Sequence, residues 1–131
     1  MRFLISFLIL GLVGCKSSSD SKPLTPYEEV MAIHDKVMPE LSRIHTIKRD
    51  LLAIADTTAR NVILSEVKVL DEADEAMMSW MAAFKMPTDK NMEGKYLSDE
   101  KLKITKVSDQ MYQAIAQASE LLDSLQNTIK N

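Results

Sequence analysis

Apolar residues recur every three or four positions over most of this chain, and the two-residue alternation of a half-buried strand is missing over any useful length. Val30, Ile33, Val37, Ile44, Ile47, Leu51 and Ile54 make one stripe. Met31, His34, Met38, Leu41, His45 and Leu52 make a second beside it. At about 100° per residue the two stripes cover roughly 200° of a helix, a width that suits packing on two neighbours. Thr25-Pro26-Tyr27-Glu28 predicts where this helix begins, with Thr25 as N-cap, Pro26 at the first helical position and Glu28 as capping-box partner. Pro39 falls on the opposite, solvated face and is expected only to bend the helix.

The apolar phase continues through Ile63, Val67, Leu70, Met77, Met81 and Phe84. A single rod from Thr25 to Lys85 would be about 90 Å long. One further helix could cover only half of its stripe. A break near Thr57, in the polar run Asp56-Thr57-Thr58-Ala59-Arg60-Asn61, lets three helices close a core instead. The second helix then ends at Lys85-Met86-Pro87, and residues 86–97 form a polar connection. Ser98 is expected to cap the third helix. Its stripe is Ile104, Val107, Met111, Ala114, Ala118, Leu121, Leu125 and Thr128, flanked by Ile115, Leu122 and Ile129, at heptad spacing. Three amphipathic helices over about 26–57, 61–85 and 98–129 predict an all-α fold, an antiparallel three-helix bundle occupying residues 25–131.

Ahead of the bundle the pattern changes. Arg2 precedes an apolar run from Phe3 to Leu10, broken only by Ser6, and the segment closes on Leu12-Val13-Gly14-Cys15. The run is shorter than the roughly 20 residues that a bilayer crossing needs, so residues 1–14 read as a secretory signal peptide. A small residue directly before the chain's one cysteine, with leucine three before it, resembles the bacterial lipoprotein lipobox. That resemblance implies cleavage ahead of Cys15 and its acylation. Each buried CH2 of the acyl chains contributes about 0.8 kcal/mol, so the anchor would be stable. Residues 15–24, rich in serine, then serve as a flexible tether. Lys16 stands where an aspartate would favour inner-membrane retention. The expected address is therefore the cell envelope, at the outer membrane, with the leaflet left open.

Composition narrows the function classes. The 131 residues include three glycines, too few for phosphate-cradling loops and doubly wound sheets. Cys15 is the only thiol, which excludes disulfides and leaves no cysteine nucleophile once it is acylated. A net charge of -3 without a basic patch argues against a nucleic-acid partner.

Two stretches carry a resemblance. Glu29-Val30-Met31-Ala32-Ile33-His34-Asp35-Lys36-Val37-Met38-Pro39 is one, and Leu70-Asp71-Glu72-Ala73-Asp74-Glu75-Ala76-Met77-Met78-Ser79-Trp80-Met81 with Phe84 is the other. Together with Tyr96-Leu97 they resemble a family of small Bacteroidota lipoproteins, many of them labelled "viral A-type inclusion protein", a label that reflects coiled-coil similarity. The resemblance covers nearly all of the chain beyond Cys15. It implies a lipoprotein of three helices with no established activity and no catalytic residues. The chain departs from many members in its short first connection around Thr57 to Asn61.

Closing the first two helices into a hairpin at Thr58 to Arg60 brings together residues whose numbers add to about 119, as antiparallel helices of equal rise require. His45 then faces Asp74, Met38 faces Met81, and His34 faces Lys85. Asp74 interrupts an apolar stripe, where a histidine opposite could hold its charge; alternatively both residues rim the core and reach water. Met31, Met38, Met77, Met78, Met81 and Met86 gather with His34 and Trp80 in one half of the hairpin. The plainest account of them is packing, and the next a docking surface for partner helices. A third is a Cu(I) site, because thioether sulfur is a soft ligand. Its metal ligands would be His34, Met38 and Met81, with Met31 or Met86 as a further sulfur and Trp80 as a shield, which resembles sites in periplasmic copper chaperones.

Catalysis finds little footing. Neither histidine has a glutamate three residues before it, as di-iron bundles require. The two histidines stand 11 apart rather than the four of a zinc-hydrolase helix. The sequence thus points to a non-catalytic helical interaction or structural module, membrane-anchored through Cys15, that meets a protein partner or a second copy of itself through a bundle face or helix tip. No cofactor is expected. The alternative is a soft-metal protein of the periplasm holding Cu(I), and a further option is a holdase that presents its methionines to unfolded clients.

Overall fold

The computed structural model describes residues 22–55 and 59–130. The expected signal peptide, Cys15, most of the expected tether and the expected break at Thr57 lie outside the described residues. Four helices follow in order: α1 (Pro26–Val37), α2 (Glu40–Ala53), α3 (Arg60–Ala83) and α4 (Lys90–Lys130). No strand occurs among the described residues. The fold is all-α with three packed arms, the first made of α1 and α2 together.

α1 begins at the predicted box. Thr25 N–H donates to Glu28 Oε2 at 2.7 Å, and Glu28 N–H donates to Thr25 Oγ1 at 3.3 Å. The Thr25 amide, and after it the Thr25 hydroxyl, hold the Glu28 carboxyl below the usual carboxylate range.

Pro39 does more than bend this arm. Met38 N–H still reaches His34 O at 2.9 Å. Pro39 has no N–H to give, and two amides just after it reach back only three residues, Leu41 to Met38 O at 3.2 Å and Ser42 to Pro39 O at 3.3 Å. Met38 and Pro39 both keep right-handed helical torsions, so the chain kinks without reversing. The single helix expected over about 26–57 is therefore two, and the second stops at Ala53. α1 packs on α4, whereas α2 lies against both α3 and α4. Because α3 starts afresh at Arg60, the first two arms fold back on each other instead of forming one rod.

α4 corrects a second expectation. It starts at Lys90, not near Ser98, and Asp89 opens it: Asp89 Oδ1 accepts from Asn91 N–H at 2.9 Å, and Asp89 O from Met92 N–H at 3.0 Å. Ser98 is an exposed residue within the helix. The polar connection shrinks because its second half has packing of its own. Leu97 is buried, and Tyr96 Oη accepts from Lys85 N–H at 2.8 Å.

Ile44, Leu51, Ile63, Leu70, Met77 and Ile104 are among the fully buried side chains of one continuous core. Burial of a side chain of this size contributes about 1.5–3 kcal/mol. The α3 stripe passes through Ala73 and Trp80, which leaves Asp74 on its flank. Trp80 pairs with Glu100 and Lys85 with Tyr96 across α3 and α4, so Arg60 comes level with a residue near position 120. Beyond that level α4 runs on past the start of α3. Leu121, Leu122 and Leu125 are only half covered there, and Ile129 is 60% exposed. Val62, Leu64 and Leu52 are exposed on the neighbouring helix ends.

Candidate functional site

The bundle carries its polar chemistry in two places, an outer seam between α2 and α3 and a cluster at the end where α1 and α4 begin. In the seam, His45 Nε2 lies 2.9 Å from Asp74 Oδ2, and Lys48 Nζ pairs with Asp71 one turn on. The two expected partners are thus brought together. The His45 side chain is 62% exposed, which makes this a surface bridge of about 0–1 kcal/mol rather than a buried charge pair. His45, Lys48, Arg49 and Leu52 line an open groove on the outside of α2.

Past the kink the register slips by one turn. His34 meets Met81 where a straight first helix would have set it against Lys85, with Nε2 3.4 Å from Sδ. Its other ring nitrogen, Nδ1, is 2.9 Å from Asp35 Oδ1. The imidazole also lies against Trp80, at 5.7 Å between ring centroids. From Trp80 a line of rings continues through Phe84 at 5.0 Å to Tyr96 and Tyr27, so the start of α1 is stitched to the α3–α4 connection.

Behind the rings is a carboxylate that sequence reasoning missed. Glu100 is only 4% exposed, and its two oxygens accept from Trp80 Nε1 at 2.9 Å and from Lys103 Nζ at 2.7 Å. The hydrogen bond and charge of Glu100 hold the Lys103 ammonium above its usual range. A signal did exist: Leu97, Glu100, Ile104, Ser108 and Met111 share the buried face of α4 at helical spacing.

The methionines divide by burial. Met77 and Met111 are core residues; Met31, Met38 and Met81 are half-buried; Met78, Met86 and Met92 are exposed. His34 and Met81 are in contact, and Met38 stands at the kink one turn along from His34 on the same arm. The set of three predicted on sequence is therefore seen in part as a contact and in part as a shared helix face.

Among the described residues no group of three His, Cys, Asp or Glu side chains could hold a metal ion, and no helix is long and apolar enough to cross a membrane. Compared with protein-family models, with curated proteins and with solved structures, the chain finds no match. What this end of the bundle offers chemically is one imidazole, one thioether facing it, and an orienting carboxylate.

Proposed function

We propose that the chain is a lipid-anchored, non-catalytic module of the bacterial cell envelope that offers the far tip of its bundle to an amphipathic helix of another protein. The overhang of α4 carries this reading. Leu121, Leu122, Leu125 and Ile129 continue the apolar stripe of α4 beyond the level where α3 can cover it. The core is already complete without full burial of these four, and Val62 and Leu64 are exposed near the start of α3. A stripe half covered by its own bundle is the kind of groove into which a partner helix lays its apolar face.

The anchor gives the tip its position. Cys15, through the lipobox resemblance, puts the membrane next to the start of α1, the end that Tyr27, Phe84 and Tyr96 close. α4 spans 41 residues, about 60 Å at helical rise, and its last turns lie at the opposite end. The likeness to small Bacteroidota lipoproteins of three helices supports the same picture.

Two measurements test this. Radiolabelled palmitate should enter the native chain and not Cys15→Ser. Cross-linking in intact membranes should trap a partner or a second copy at the tip, and the double variant Leu125→Glu/Ile129→Glu should abolish the product while circular dichroism stays helical. A strict monomer with no cross-linked product, or a product indifferent to both substitutions, would sink the docking reading.

A further inference from the structure

The geometry points to a second, separate property: His34 Nε2 and Met81 Sδ form a preorganised site for one soft monovalent ion, Cu(I), with Met38 as the third donor. Both ring nitrogens have fixed neighbours. Nδ1 is 2.9 Å from Asp35 Oδ1, which sets the orientation of the ring, and Nε2 is thereby aimed at Met81 Sδ, 3.4 Å away. An imidazole nitrogen and a thioether sulfur that converge across the contact of α1 with α3 are two ligand atoms that a soft cation can bridge.

The distance suits a metal. With bonds of about 2.0 Å to nitrogen and about 2.3 Å to sulfur, a separation of 3.4 Å gives an angle at the ion of roughly 105°, close to tetrahedral. The donor set suits a soft one. Imidazole with thioether selects Cu(I), whereas Zn(II), Mg(II) and Ca(II) need thiolate, more imidazole or free carboxylate oxygen. Asp35 orients the ring from behind, as carboxylates do for metal-bound histidines. Met38 is four residues from His34, hence on the same face of the arm, and half-buried at the kink. Trp80 lies against one side of the imidazole, and the His34 side chain is 17% exposed. This property does not depend on the anchor or on the tip.

Full-length protein in detergent, titrated anaerobically with Cu(I) against a chromophoric Cu(I)-specific chelator, should take up one equivalent and quench the fluorescence of Trp80, the chain's one tryptophan. Met81→Leu and His34→Gln should each weaken binding at least tenfold, and Met38→Leu several-fold. Met92→Leu, an exposed methionine, should leave it unchanged. Far-UV circular dichroism controls for folding, since Leu replaces Met with little change of volume. Absence of stoichiometric binding overturns the proposal, as does parent-like affinity in Met81→Leu or tighter binding of Zn(II) than of Cu(I). So does a nitrogen-15 spectrum in which His34 stays doubly protonated in the presence of Cu(I), because a proton would then occupy the gap.

Discussion

A carboxylate inside a helix bundle is tolerated when its oxygens are answered, and Glu100 is answered from both sides, by the Trp80 indole and by Lys103. Trp80→Phe removes one donor while keeping most of the ring. The expected loss is about 1–3 kcal/mol in urea denaturation followed by circular dichroism, the usual cost of an orphaned buried acceptor. Adding Glu100→Leu to that variant should recover part of the loss, and strict additivity of the two changes would show that the pair does not interact. Glu66 is the opposite case. Burial raises its carboxyl above the usual range, and its Oε1 finds no hydrogen-bond partner. A raised folded value means that ionisation opposes folding, so the penalty is absent below the ordinary carboxylate range and grows as pH rises through the folded value. Glu66→Met should therefore stabilise the bundle by about 1 kcal/mol at pH 7, the scale of an unsatisfied acceptor. The advantage should shrink at acid pH, and parity of the two chains at pH 7 would refute it.

At the level of the helices, the start of α1 was legible because capping is local: Thr25, Pro26 and Glu28 are enough to specify it. Thr25→Val should lower the melting temperature and raise amide exchange at Glu28, whose N–H the threonine hydroxyl accepts. The folded value of Glu28 is depressed, so this contribution is full above the ordinary carboxylate range and fades as pH falls through the folded value. The gap between parent and variant should close in acid; a gap constant with pH would mean that the box contributes nothing through its carboxylate. The partnership of His45 with Asp74 was legible for another reason, since an antiparallel hairpin fixes register once its turn is placed. The outcome of the kink was not. Hydrophobic period marks Pro39 as an interruption but does not say how far the segment before it will slide, and a slip of one turn decides that His34 meets Met81. The early start of α4 stayed hidden because Gly94 and the polar residues around it weaken helix propensity, while Tyr96, Leu97 and Glu100 offset this through contacts from another helix. Tertiary packing overrode a local signal there.

For the molecule as a whole, the bundle is not symmetric in its dependencies. α1, α2 and α3 all pack on α4, and α1 has its main contacts there. The long helix is the spine, and it follows the other three in chain order. During synthesis the residues ahead of Lys90 therefore emerge before the surface they fold onto exists. Until α4 arrives, the α2–α3 hairpin is the largest pairing available, and short hairpins are marginal by themselves. The earlier helices would stay loosely associated, and compaction would wait until α4 has cleared the exit.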